Sequence, residues 1–361
     1  MNMPNRHIQY ELNIGFMPLT DCAPLVIAKE LGIFKRWGLD VNLLRQNSWA
    51  TLRDKIHAGV LDAGQMLAPM PLASSLGLGC VPEAIMTPMV LSRNGNAVTI
   101  SDGLWQDIVQ AKQTTQVSLP LSASHLKPII QQRANAGKKL RFATVYTHSC
   151  HYYQLRSWFE QSRINISDID IVILPPKQMV GALTDSIIDG FCVGGPWNAK
   201  AVRKAIGLTG VTSSDIWPDF PEKVLGIRAA QYQQTPEPFH LLVKALVASC
   251  QWLETIPNRL EAARILSCEQ YLDTDLDVVA PSLLGSCLTH YAQPPRHVPM
   301  YNQFSTVDRW PGNCPDAGLG DWLINQMLAA GHIDAEQSEQ IQLETIYRAD
   351  IYQRVIDAQE P

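Results

Sequence analysis

An α/β fold in two lobes, with a largely helical final quarter, is what this 361-residue sequence predicts. Two observations carry that reading. Apolar strand-like runs alternate with helices of 3.6-residue periodicity on both sides of the middle of the chain. The middle itself reads as an inserted lobe that leaves the first one discontinuous. The boundaries implied are 1–100 for the first part of lobe I, 101–220 for lobe II, and 221–361 for the return to lobe I with its C-terminal helices.

The elements follow in order. Leu12–Phe16 reads as a strand, Pro24–Phe34 as a helix stopping near Gly32, and Leu39–Leu44 as a second strand, a β-α-β start. Trp49–Ala58 reads as a helix ending at Gly59, and Val60–Gly64 as a short strand. After Ala97–Ile100 comes a polar region, Gln106–Lys139, with a helical patch from Leu126 to Ala136. Leu140–Val145 looks like the first strand of the second lobe, and Ile169–Leu174 continues it. Pro175-Pro176 then leads into a helix over about 178–188. Lys223–Ile227 reads as a strand leaving that lobe, and Pro238–Ile256 as a clear amphipathic helix. Pro294-Pro295 and Trp310-Pro311-Gly312 act as breakers in the helical remainder.

Composition narrows the function classes. A hydrophobic content of 46% is ample for packed cores, and a net charge of −5 with dispersed basic residues gives no footprint for a phosphate backbone. Direct nucleic-acid binding is therefore disfavoured. No run reads as a membrane span. The opening Met1–Tyr10 has no apolar leader, which makes a cytoplasmic location the expectation. The eight cysteines form no C-x-x-C pair and suit a reduced compartment as buried small hydrophobes. Neither a metal site, a cofactor site nor a Walker loop is indicated, and no paired carboxylates or serine triad suggest catalysis.

Thr147–Trp158 (T-H-S-C-H-Y-Y-Q-L-R-S-W) is the most informative stretch, because it sets His151 at the start of a helix. Exposed N–H groups and the helix dipole hold small anions there. His148 is the nearby alternative. Gly194-Gly195-Pro196-Trp197 reads as a turn entering another helix, with Pro at its first position and free N–H groups beside it. Its structural alternative is a packing turn with a buried Trp197.

These segments resemble the nitrate- and bicarbonate-binding proteins of the second structural class of periplasmic binding proteins. The resemblance runs in order through Pro24–Asp40, Asn47-Ser48-Trp49-Ala50, Asn94–Ile100, His151–Trp158, Ile188–Asn198, Pro221–Leu225 and Trp322–Met327. It implies a two-lobed fold with a cleft between the lobes, and anion contacts from Trp49, Asn96, His151 and Lys223, with Gly194, Gly195, Pro196 and Trp197 as backbone or supporting residues. Two departures stand out: Asn96 where those receptors often have Gln, and Gly195 where a Glu is common. The missing leader resembles the soluble nitrate/nitrite sensors of the NasS type, whose partner is an antiterminator of the NasT type. The alternatives are the receptor of an anion transporter and an enzyme related to the pyrimidine-precursor synthases.

Nitrate is planar, monovalent and acceptor-only, so its site needs a fan of donors, one positive charge and no carboxylate nearby. Lys223 is the expected charge, Trp49 offers one indole N–H and a flat wall, and Asn96 can donate its amide. Asn94-Gly95 is also a turn signal, which offers Asn96 a purely local role. Glu222 adjoins Lys223, but neighbours on a regular strand point to opposite faces. That geometry favours nitrate or nitrite over bicarbonate, whose receptors resemble this chain but carry acidic character and calcium near this position.

Overall fold

A computed structural model describes residues 7–113, 117–305 and 312–358. Met1–Arg6, Trp310, Pro311 and part of the polar stretch, 114–116, lie outside those residues. In chain order the strands are β1 (Tyr10–Phe16), β2 (Leu39–Arg45), β3 (Ala63–Leu67), β4 (Ile85–Met86), β5 (Val90–Asn94), β6 (Asn96–Ser101), β7 (Leu140–Thr144), β8 (Ile169–Ile173), β9 (Gly190–Gly194), β10 (Gly207–Thr212), β11 (Pro221–Arg228), β12 (Ser286–Cys287), β13 (Arg296–His297) and β14 (Asn302–Gln303). They form two main sheets. One runs β14-β5-β11-β3-β1-β2 with β4 on β11, the other β10-β6-β9-β7-β8. The predicted α/β class is observed.

Two compact units result, the first from the described residues within 1–93, 221–273 and 303–361, the second from 94–220 and 274–302. The change-over therefore falls at Arg93/Asn94 and not near residue 100, because β6 pairs antiparallel with both β9 and β10 and belongs to the second sheet. The stretch 274–302, expected to return with lobe I, packs with the second unit instead. Its ties are specific: Thr209 N–H donates to Thr289 O at 2.8 Å, Arg203 meets Asp277 at 3.2 Å, and Arg296 Nη1 donates to Asp215 Oδ1 at 2.9 Å.

Local deviations have local causes. The strand expected over Val60–Gly64 begins at Ala63, because Gly59 takes φ +69° after the Trp49–His57 helix and leaves Val60 exposed in the turn. The long helix expected over Pro238–Ile256 is Glu237–Trp252, and a new helix capped by Thr255 starts at Ile256. The helix near 178–188 is shorter, Met179–Thr184. Asn94 and Gly95 both take positive φ, 55° and 93°, as the turn signal requires.

A row of glycines fixes the first unit. Gly15, Gly64 and Gly226 are paired across β1, β3 and β11. A Cβ on Gly15 would meet Leu61 Cδ1 at 2.6 Å, and one on Gly64 would meet Ile56 Cδ1 at 2.7 Å. The bare backbone lets the Trp49–His57 helix settle onto the sheet, with Leu52 and Ile56 fully buried. In the second unit Phe142 packs edge-on against Phe159 at 5.2 Å, and Trp158 Nε1 donates to Leu121 O at 2.7 Å.

Two consequences are measurable. Gly64→Ala should cost about 1–3 kcal/mol through overpacking, read as a lower urea midpoint. Asp215→Asn should cost about 1.5–3 kcal/mol by weakening a charged pair. Burial opposes the Asp215 charge, but Arg296 and the Thr212 N–H and hydroxyl outweigh it and hold its pKa below the usual 3.8. A depressed carboxylate stabilises above its unfolded pKa, so the gap between wild type and Asp215→Asn should be full at neutral pH and close as pH falls below 3.8.

Candidate functional site

In the first unit, Trp49 is the first residue of its helix, whose N-cap Ser48 accepts from Thr51 N–H at 3.1 Å. The indole is 1% exposed, and its Nε1 has no hydrogen-bond partner among the described residues. Lys223 Nζ lies 5.6 Å from the Trp49 ring centroid, within cation–π range. The structure thus places these two sequence candidates side by side.

The surroundings of Lys223 correct that reading. Its ammonium, fully buried, sits 2.8 Å from Asp21 Oδ2 and donates to Glu222 Oε1 at 3.0 Å. Glu222 was expected on the opposite face. The regular alternation fails because the pairing of β11 with β5 shifts register between Pro221 and Lys223 and again between Lys223 and Val224. Such irregularities let consecutive residues turn to the same side. Asp21 also accepts from Gln65 Nε2 at 2.6 Å, while Gln65 Oε1 accepts from Met17 N–H at 3.1 Å. Burial disfavours the ammonium, but Asp21 and Glu222 outweigh it and hold the Lys223 pKa above 10.5. Lys223 is thus the cation of an internal ion cluster with two carboxylates, and the expectation of a charge without carboxylates nearby does not hold. Among the described residues no group of three or more His, Cys, Asp and Glu is arranged to hold a metal.

In the second unit, Ser149 caps the Cys150–Gln161 helix by accepting from Tyr152 N–H at 3.1 Å, and His151 is its second residue, fully buried. The predicted helix-start position is observed. Asn96 opens β6 opposite Gly194. Its backbone N–H donates to Ser213 Oγ at 3.2 Å, and its Nδ2 donates to Gln154 Oε1 at 2.9 Å. Gln154, also fully buried, was not among the sequence candidates. Its only advance signal was its i+3 spacing from His151.

Gly194 ends β9, and Gly195 N–H donates to Gly95 O at 3.2 Å. Pro196 is the N-cap of the Trp197–Arg203 helix, one position before the one expected. Trp197 is buried, with Nε1 lacking a hydrogen-bond partner among the described residues, and Lys200 Nζ stands 5.4 Å from its ring. Asn198 Nδ2 donates to Val193 O at 2.8 Å and its Oδ1 accepts from Thr99, locking that turn. Each unit therefore holds buried N–H groups beside a helix start, an arrangement suited to an oxygen-rich anion.

Residues 7–267 match the NMT1-like family. The chain belongs to that family. The nitrate import ATP-binding protein NrtC of Synechocystis sp. is 35% identical over 345 residues, 94% of this chain and 49% of NrtC. The bicarbonate transport ATP-binding protein CmpC of Synechococcus elongatus is 38% identical over 264 residues, 72% of this chain and 38% of CmpC. The chain thus spans half or less of the length of these relatives. The crystal structure of the periplasmic nitrate-binding protein NrtA from Synechocystis superposes with a TM-score of 0.88 at 24% identity, covering 99% of this chain and 90% of NrtA. This NMT1-like chain has the periplasmic-binding-protein fold.

Lys223→Ala would strand Asp21 and Glu222, and should cost about 3–5 kcal/mol of stability. A raised lysine pKa stabilises below the unfolded value and loses that effect as pH climbs through the folded one. Unfolding titrations should therefore show a full gap at neutral pH that closes only above pH 10.5.

Proposed function

We propose that this chain binds a small monovalent oxyanion, nitrate or nitrite, and serves as a cytoplasmic sensor controlling a transcription-antitermination partner of the NasT type. The observation that carries the anion is a set of buried donors without hydrogen-bond partners among the described residues: Trp49 Nε1 beside the Lys223 ammonium in the first unit, and Gln154 Nε2 and Trp197 Nε1 in the second. Buried N–H groups cost free energy unless something accepts from them. An acceptor-only anion supplies that in the unit where it binds. The likeness to NrtC and NrtA supports nitrate as the ion.

The sensor role needs a ligand that binds two states differently, with the partner lowering anion affinity by the same factor as the anion lowers partner affinity. A reducing compartment is supported by Cys268, a free thiol that is exposed. The likeness to NrtC and CmpC favours a second role, the receptor or receptor-like part of an anion importer. A second ligand, bicarbonate, is favoured by Asn96 Oδ1 in the second unit, a buried acceptor without a hydrogen-bond partner among the described residues that could take the bicarbonate O–H.

Calorimetry of the purified protein with nitrate, nitrite, bicarbonate and sulfate, with and without calcium, decides the ligand. Stoichiometric nitrate or nitrite binding, indifferent to calcium, is the expected result. Tight calcium-dependent bicarbonate binding alone would overturn it. For the role, the partner complex recovered from native cytoplasm should dissociate on size exclusion when millimolar-scale nitrate is added. A complex indifferent to the anion would transfer the assignment to the importer.

A further inference from the structure

We infer that Gln154, and not Asn96, gives the bound oxyanion its amide N–H, and that Asn96 is the residue that aims it. The inference rests on the anion-binding function proposed above and assigns roles within the second unit.

The Asn96 amide is already committed. Its Nδ2 donates to Gln154 Oε1 at 2.9 Å, and its backbone N–H is held by Ser213 Oγ at 3.2 Å at the head of β6. What it leaves over is Oδ1, an acceptor, which an acceptor-only anion cannot use. Gln154 is left with the opposite group. With its carbonyl taken, its Nε2 carries two N–H donors, buried and without a hydrogen-bond partner among the described residues.

Position agrees with chemistry. Gln154 lies three residues after His151 on the Cys150–Gln161 helix, so the two side chains share a face near its positive end. Asn96 is paired in the sheet with Gly194, the residue from which the chain turns through Gly195 and Pro196 into Trp197, whose Nε1 has no hydrogen-bond partner among the described residues. The Asn96–Gln154 bond also polarises the Gln154 amide, which strengthens its remaining N–H groups as donors.

A double-mutant cycle in calorimetric nitrate and nitrite affinity tests the assignment. Gln154→Leu should weaken binding about 10–100-fold, the range for one hydrogen bond to a charged group. Asn96→Ala should cost about tenfold in the wild-type background and almost nothing once Gln154 is Leu, because its effect passes through Gln154. Gln154→Met, close to the native volume, should lose the same affinity while keeping its ligand-free melting temperature, a pattern that simple unfolding would not give. An equal cost of Asn96→Ala in both backgrounds, or undiminished affinity in Gln154→Leu and Gln154→Met, would overturn the inference and return the donor role to Asn96. A wild type that binds none of the anions would instead refute the proposed function, and this assignment with it.

Discussion

A lysine ammonium sealed from water between two carboxylates is the constraint around which the first unit is arranged. Lys223 joins β11 to the Asp21 turn, Asp21 joins that turn to β3 through Gln65, and the Trp49 indole stands over the ammonium. A buried charge of this kind is tolerable only while its partners stay in place. The glycine row under the Trp49–His57 helix serves the same end, because it sets how closely the helix that carries Trp49 approaches the sheet. The cluster also limits the ligand chemistry. An anion approaching Lys223 meets an ammonium already shared with two carboxylates, so much of its binding must come from neutral donors.

The second unit holds neutral donors of its own, with no charged cluster of this kind beside Asn96 among the described residues. Its candidate groups sit where regular elements begin or end: Asn96 at the head of β6, His151 and Gln154 in the first turns of a helix, Gly194 at the close of β9. Backbone N–H groups at those places are not consumed by the helix or the ladder. Backbone groups held by the side chains of Ser149, Ser213 and Asn198 then keep the geometry rigid. Rigid donors aimed in advance cost little ordering when an anion arrives.

Much of this was legible in the chain, for physical reasons. The Asn94-Gly95 turn, the helix starting at Trp49 behind Ser48, and the helix opening at Cys150 behind Ser149 each rest on local chemistry, which neighbouring residues specify. What escaped depends on contacts distant in sequence. Glu222 was assigned to the wrong face because a register shift comes from how β11 meets β5, not from its own residues. Gln154 was overlooked because its importance comes from Asn96, 58 positions away. The return of 274–302 to the second unit depends on Arg296 reaching Asp215, a pairing that periodicity does not encode.

The central claim is that buried, partnerless N–H groups are completed by a small oxyanion. Nitrogen-15 NMR observes those groups themselves. Titration with nitrate should move downfield the resonances of the unit that binds it, either the Gln154 side-chain amide with the Trp197 indole N–H or the Trp49 indole N–H, saturating at one equivalent, while the indole of Trp158, already bonded to Leu121, stays in place. Saturable nitrate binding that leaves all three groups unmoved would contradict the account.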